Sequence, residues 1–209
     1  MEIELKYKLI SHLLADKILI SHLLADKIWK EFGGEGIGCR YIGAYYDTPD
    51  MGLAKDDIIF RIRSEEEEYV ATLKWNGVED FGLYEREEVN VNLGPNPPNR
   101  IDKEIFRNTK AFYVIEKFEK ELKPVVEIDF ARRKTEKAIG KSILELAVDV
   151  GEIKVSGRTA PICELEIELK EGNKGDLMKF GKELSETYKL QQEAVSKFAR
   201  GMELLKREN

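Results

Sequence analysis

Met1-Glu2-Ile3-Glu4-Leu5-Lys6 opens the chain, and its alternation decides how the rest is read. Successive side chains of a β-strand point to opposite faces, so Glu2, Glu4 and Lys6 share one face while Ile3 and Leu5 share the other. The same like-faced charges return along the chain. Arg61 and Arg63 flank Ile62, Lys74 shares a face with Thr72 and Val70, and Arg86 and Glu88 share one with Asn90. Asp149 falls with Ala147 and Glu145, and Glu164, Glu166 and Glu168 alternate with Leu165 and Ile167.

An antiparallel sheet with one wet face explains any single pair of this kind. Three successive like-faced carboxylates in Cys163-Glu-Leu-Glu-Ile-Glu-Leu169 are harder to place, because they repel one another unless hydrated or balanced by cations. A closed barrel supplies the balance: apolar residues pack outward against helices and the charged face points inward, giving a polar tunnel that holds acids and bases together. The expected fold class is therefore α+β, a closed antiparallel β-barrel with helices packed outside. Such an interior would bind a polyanion through its Arg and Lys side chains, with divalent cations held by the acids bridging the two. Linear polyphosphate groups meet that demand.

Composition narrows the classes. The chain has 209 residues, 42% apolar and 35% charged, enough for one sizeable core. A formal net charge of -6 argues against coating nucleic acid or an anionic membrane through the overall field, so any anion site must be local. No apolar run approaches the ~20 residues of a membrane span, and the acidic start lacks the basic and apolar regions of a signal peptide. A cytoplasmic protein with no membrane or nucleic-acid partner is expected. Cys39 and Cys163 lack metal-type spacing and read as reduced thiols. His12 and His22 both lie inside a repeat, so carboxylates must carry any metal chemistry, which points to Mg2+ or Mn2+.

That repeat is the decapeptide LISHLLADKI, written twice without a difference over residues 9–28. Ten residues at about 100° each leave the second copy rotated by about 80°, so the copies cannot present one face on a straight helix. Either copy leads into an amphipathic helix, SHLLADKIWKEF, with Ser11 or Ser21 as N-cap and Gly33 and Gly34 as its stop. The duplication either lengthens this helix at its start or loops out. Period-two strands are then expected at Arg40 to Tyr46, Ile58 to Arg63, Tyr69 to Trp75 and Leu83 to Leu93. Asp102 to Lys120 reads as a helix. Strands follow at Val125 to Thr135, Ile143 to Asp149 and Ile162 to Lys170, with turns at Gly151 and Gly157. Helices at Asp176 to Tyr188 and Glu193 to Lys206 close the chain.

Glu2-Ile-Glu4-Leu-Lys6 resembles the Glu-x-Glu-x-Lys signature of the CYTH superfamily, the triphosphate tunnel metalloenzymes. The resemblance continues in order through YYDTPD, Phe-Arg61-Ile-Arg63, Thr-Leu-Lys74, Arg86-Glu-Glu88, Val-Asp149-Val-Gly-Glu, CELEIEL and Ser-Lys197-Phe-Ala-Arg200-Gly. It implies an eight-stranded antiparallel β-barrel with helices packed outside, one tunnel domain over residues 1–209 that binds a triphosphate and hydrolyses it with Mg2+ or Mn2+. By motif, Glu2, Glu4, Glu164 and Glu166 would hold the metal. Glu88, Asp149 and Glu168 would assist by coordination or by orienting water, so that Glu4, Glu88, Asp149 and Lys74 form the catalytic group. Lys6, Arg61, Arg63, Lys74, Arg86, Arg132 and Lys197 would grip phosphate oxygens, with Arg133 as the alternative to Arg132 and Arg200 as an extra contact. Lys197 and Arg200, at i and i+3 on one helical face, would form a lid over one mouth. The SKFARG and APICELEIEL segments most resemble the bacterial inorganic triphosphatase branch. The alternatives are a class IV adenylate cyclase, which would grip ATP through the same triphosphate, and a non-catalytic polyphosphate- or nucleotide-binding module. A monomer and a homodimer are both compatible with the sequence, since a lengthened, Leu-rich helix could expose an apolar patch.

Overall fold

A computed structural model of the chain describes residues 1–9, 17–32, 38–80 and 83–206. Eight strands, β1 (Glu2–Lys8), β2 (Cys39–Asp47), β3 (Ile59–Glu65), β4 (Glu68–Asp80), β5 (Leu83–Gly94), β6 (Lys123–Ile139), β7 (Ser142–Val155) and β8 (Arg158–Glu171), form an antiparallel sheet in the order β5-β4-β3-β2-β6-β7-β8-β1. Short β1 closes it. Glu2 to Leu5 pair with β5 and Glu4 to Lys8 pair with β8, so no edge remains between the first and last strands. A two-residue strand, β9 (Gln191–Gln192), adds to β1 at Tyr7 and Lys8.

The outward face of the barrel is apolar where helices cover it. Leu5 and Tyr7 of β1, Leu165 and Ile167 of β8 and Leu146 and Val148 of β7 are buried beneath α1 (Lys17–Phe32) and α4 (Lys174–Tyr188). The glycine Gly181 lets α4 lie against β1: a Cβ there would sit 2.3 Å from Leu5 Cδ1. A second cluster buries Phe60, Ile62, Leu73 and Trp75 of β3 and β4 beneath Leu53 of α2 (Gly52–Lys55), Phe106 of the 3-10 turn Lys103–Phe106 and Ile115 of α3 (Phe112–Ile115). Asp47, the Asp of YYDTPD, is fully buried and holds α2 in place by accepting N–H bonds from Leu53 at 2.8 Å and Ala54 at 3.0 Å.

The inward face is not charged throughout. Val126 and Ile128 of β6, Ile153 and Val155 of β7 and Ile162 of β8 share the parity of the inward charges but are apolar, and α5 (Lys197–Lys206) packs on them through Phe198, Met202 and Leu205. The helix thus seals one end of the barrel with an apolar plug, and the charges occupy the rest of the interior.

Four expectations need correction. Residues 102–120 are not one helix: Lys103–Phe106 is a 3-10 turn and Phe112–Ile115 a single α-turn. Asp102 caps the first by accepting the N–H of Glu104 at 2.9 Å, and an ordered turn between the two segments breaks the helical ladder. The last helix begins at Lys197, not Glu193, because Ser196 accepts the N–H of Ala199 at 3.1 Å as its N-cap. Gly151 lies inside β7, where a Cβ would meet Asp129 O at 2.2 Å, so its role is close approach between strands. Ser21 sits inside α1 and is no N-cap, since the helix starts four residues earlier at Lys17. Ser11, His12 and the Gly33-Gly34 stop fall outside the described residues. The second copy of the decapeptide is wholly helical, and α1 begins with Lys17 and Ile18, the last two residues of the first copy; residues 10–16, on which the choice between a longer helix and a loop turns, lie outside the described residues. The strand register of β1 is unaffected by it: Leu5 and Tyr7 face the core while Glu4 and Lys6 face inward.

Candidate active site

The charged part of the interior encloses a cavity of about 440 Å³. Its wall includes Glu2, Glu4 and Lys6 of β1, Arg61 and Arg63 of β3, Lys74 of β4 and Arg86 and Glu88 of β5. Arg132 of β6, Glu166 and Glu168 of β8 and Lys197 of α5 complete the predicted set. Residues far apart in sequence meet here because the period-two alternation survives in each strand while the closed register brings the strands round a common interior. Asp149, Glu164 and Arg200 do not line the cavity. They lie beneath Lys197, with Asp149 and Glu164 fully buried.

There the acids and bases form one network. The Lys197 ammonium stands between three carboxylates, 2.8 Å from Asp149 Oδ2, 2.9 Å from Glu164 Oε2 and 2.8 Å from Glu166 Oε1. Arg132 grips Asp149 with two bonds of 2.6 and 2.7 Å and also pairs with Glu166. Arg200 pairs with Glu164, so Lys197 and Arg200 do act from one helical face. Burial pushes the Asp149 carboxyl up, but Arg132 and Lys197 outweigh it and hold the group below the usual range. Glu166 is held well below its ordinary value, its burial outweighed by Lys197, Arg132 and Lys6. Register settles the Arg132 and Arg133 alternative: Arg132 faces the cavity opposite Asp149, and Arg133 points outward to Asp26, 2.7 Å away, and the Trp29 ring of α1.

Across the cavity a second network centres on Lys74, which binds Glu2 at 2.6 and 2.7 Å and Glu88 at 2.8 Å. Burial drives Glu2 up to about 7 against the pull of Lys74, whereas Glu88, with Lys74 and Asn90 as donors, is held at about 2 in spite of its burial. Glu4, Glu168 and Glu145 lie side by side on β1, β8 and β7, and burial pushes the Glu168 carboxyl up, with Glu145 and Glu4 adding to it.

The arginines of β3 and β5 are short of acids. The Nε atoms of Arg61 and Arg86 are buried without a hydrogen-bond partner; Arg61 Nη2 donates to the Thr72 hydroxyl at 3.4 Å, and Arg86 Nε lies 3.9 Å from Glu2 Oε2. Arg63 is brought down to about 10 by burial and by the neighbouring Arg61 and Arg132 cations, with Glu65 offsetting part of that. This flank of the cavity therefore carries an excess of positive charge, with Glu65 on Arg63 and Glu2 at 3.9 Å from Arg86 matching only part of it.

For a metal, the donor set is suitable. Ligand oxygens of Asp149, Glu164 and Glu166 lie within 4.8 Å of one another, and with Glu2 and Glu4 they offer only hard carboxylate oxygen. The structure does not bring the four expected ligands into one cluster, because Glu164 is enclosed by Lys197 and Arg200 while Glu2 is engaged by Lys74. Wall residues that the motifs did not supply include Tyr41, Tyr45, Glu65, Lys134 and Lys170. Lys134 and Lys170 were within reach of the pattern, since each is two residues beyond a predicted inward charge. The tyrosines carried no such signal.

The eight-strand closure, the inward alternation and the matching sequence pattern coincide over residues 1–202 with the CYTH domain. The chain belongs to the CYTH family. It is 36% identical over 160 residues to a Haemophilus influenzae protein named inorganic triphosphatase, covering 75% of this chain and 44% of the relative. This CYTH domain thus spans less than half the length of that relative. A solved structure from Hippeastrum, described as an adenylyl cyclase that reveals a dominant triphosphatase activity, superposes with a TM-score of 0.65 at 16% identity, over 97% of this chain and 96% of that one. One from Bacillus halodurans, described as a candidate adenylate cyclase, gives 0.58 at 21% identity over 94% of each chain. At these identities the likeness is one of fold. Among the described residues no helix is long and apolar enough to cross a membrane.

Proposed function

We propose that this CYTH domain hydrolyses inorganic triphosphate or a related triphosphate in its interior, with Mg2+ or Mn2+. The observation that carries the proposal is the buried cationic flank: the Nε atoms of Arg61 and Arg86 have no hydrogen-bond partner, and Arg63 is disfavoured as a cation by burial and by the Arg61 and Arg132 cations. Buried donors left unpaired cost free energy unless a ligand satisfies them, and a compact polyanion does so. The name of the Haemophilus relative supports the substrate class.

Arg61, Arg63, Arg86, Lys6 and Lys74 would hold phosphate oxygens from the strands, and Lys197 and Arg132 would meet the terminal phosphoryl from the sealed end. Arg200 contributes by pairing with Glu164 beneath the wall. Glu2, Glu4 and Glu166, with Glu164 behind them, would hold the metal, which when bound neutralises phosphate oxygens and polarises the phosphoryl group. Glu88 lines the cavity as an ionised carboxylate and would orient the attacking water; a group held at about 2 is too weak a base to take its proton early. Asp149, locked between Arg132 and Lys197, would fix those two bases.

Phosphate release from inorganic triphosphate, ATP and thiamine triphosphate, each with Mg2+ and with Mn2+, tests the assignment. Release from inorganic triphosphate is expected, and Glu4→Gln and Glu166→Gln should nearly abolish it while keeping a wild-type circular dichroism spectrum. Cyclic AMP as the main product from ATP would instead favour the cyclase. Binding without release from any substrate would favour the binding module, and full Mg2+-dependent activity in Glu166→Gln would overturn the ligand assignment.

A further inference from the structure

Glu193 lies outside the cavity wall, yet its side chain is only 1% exposed. A carboxylate buried to that degree needs partners to offset its desolvation, and the partners of this one join three elements. Oε1 accepts the N–H of Val195 at 2.9 Å. Oε2 lies 3.0 Å from the Lys8 ammonium on β1 and 4.0 Å from Arg200 Nη1 on α5. The Glu193 backbone N–H donates to the carbonyl of Lys6 at 2.9 Å, and its own carbonyl accepts from the Tyr84 hydroxyl of β5 at 3.4 Å. The residue therefore clamps the approach to α5 onto the peptide of a cavity lysine, four positions before Lys197.

Along its length α5 is held by apolar contacts, which resist separation but fix neither rotation nor axial position sharply, together with the ion pairs of Lys197 and Arg200 and the bonds from Arg200 to the Pro161 carbonyl at 3.2 Å and from Arg158 to the Leu204 carbonyl at 3.1 Å. Ahead of the helix, the hydrogen bonds of Glu193 to Val195 and to Lys6 have a defined geometry, and its Oε2, which has no hydrogen bond, adds attraction to the Lys8 and Arg200 cations. From Glu193 the chain of contacts runs to Arg200, then to Glu164, then to the Lys197 ammonium at 2.9 Å from that carboxylate. We propose that Glu193 is a positioning residue that sets the first turn of α5 so that Lys197 enters the cavity in register with the acids and the substrate. The proposal rests on the triphosphatase function above. It gives Glu193 no contact with substrate.

The test is a double-mutant cycle in the intact chain: wild type, Glu193→Ala, Glu193→Gln, Lys197→Gln and Glu193→Ala/Lys197→Gln, with kcat and KM for inorganic triphosphate in Mg2+. Loss of a uniform binding contribution raises KM and spares kcat. Glu193→Ala should raise KM about tenfold with kcat within twofold. Glu193→Gln, whose amide oxygen still accepts from Val195, should recover most of the loss. In the Lys197→Gln background the Glu193→Ala effect should shrink below twofold, since both act through one group. Additive effects, or an unchanged KM with only a lower urea midpoint, would overturn the proposal. If wild type releases no phosphate, the triphosphatase assignment fails, and the same proteins titrated calorimetrically with inorganic triphosphate decide the positioning role. A weaker Kd for Glu193→Ala that disappears with Lys197→Gln supports it; an equal Kd overturns it.

Discussion

Lys197→Met tests whether an ammonium group does the work of a cation in the Asp149, Glu164 and Glu166 cluster. The nitrogen lies 2.8, 2.9 and 2.8 Å from the three carboxylates, two of which belong to residues with no exposed surface. Removing one partner from a buried ionic network typically costs about 3–5 kcal/mol. Arg132 leaves Asp149 and Glu166 each with a base, Lys6 gives Glu166 a second and Arg200 remains on Glu164, so the lower half of that range is expected. For a chain of this size the melting temperature should fall by roughly 6–20 °C across the whole range. The vacated cluster, with ligand oxygens within 4.8 Å of one another, then becomes open to a divalent ion. Mg2+ sits at about 2.0–2.1 Å from its ligands, so the carboxylates must close in by about 0.8 Å, which added freedom in the variant allows. Urea unfolding in EDTA and in Mg2+ measures both effects. Mg2+ at a hundred times its Kd should return about 2.7 kcal/mol to the variant and markedly less to wild type. A variant as stable as wild type in EDTA, or an equal Mg2+ response in both, would refute the reasoning.

Arg63→Met should stabilise the metal-free protein by on the order of 1–3 kcal/mol at pH 7, because the cavity brings that guanidinium down to about 10, and should weaken binding of inorganic triphosphate; urea midpoints and calorimetry read the two. Tyr7 is raised to about 12 by burial, so the unfolded chain ionises it first and its contribution to stability, complete below pH 10, is lost as pH rises to 12. Wild type should therefore lose on the order of 1–2 kcal/mol relative to Tyr7→Phe over that interval, and parallel stability curves for the two would refute it. Gly181→Ala should destabilise by about 1–2 kcal/mol despite the better helix propensity of alanine, because the new Cβ would lie 2.3 Å from Leu5 Cδ1 and 2.6 Å from the Tyr7 hydroxyl. A raised urea midpoint would show that α4 shifts freely.

How much was legible in the sequence depended on the range over which each feature is encoded. Which side chains share a face follows from two-residue periodicity, so the inward set from Glu2 to Glu168 could be named before any fold was known. Where α5 begins could not: Glu193 looks like a helical residue, but its backbone is committed to Lys6 and its carboxylate to Lys8. The switch from charged to apolar along the inward faces of β6 and β7 was visible as Val126, Ile128, Ile153 and Val155, but its meaning depends on a helix arriving from the far end of the chain. Pairing within the cavity was least legible. Strand register places Lys8 opposite Glu164 and Asp149 opposite Arg132, and register is a property of the closed sheet.

That pairing bears on how ligands would enter. Most cavity bases already hold an acid: Lys74 holds Glu2 and Glu88, Lys6 holds Glu4 and Glu166, and Lys197 holds three. An anion entering alone would draw bases from these carboxylates and leave them buried and unpaired, and a cation entering alone would do the converse. Entering together, the cation takes the acids and the anion takes the bases, so every buried charge is repartnered. Divalent metal and inorganic triphosphate should consequently bind with positive, reciprocal coupling, on the order of 1–3 kcal/mol or about 5–150-fold in affinity. Calorimetry with and without Mn2+, corrected for the complex that metal and triphosphate form in solution, measures it. Equal triphosphate affinity in EDTA and in Mn2+ would mean that the underpaired flank of Arg61, Arg63 and Arg86 suffices to hold the anion, and that the internal ion pairs of Lys6, Lys74 and Lys197 are never exchanged.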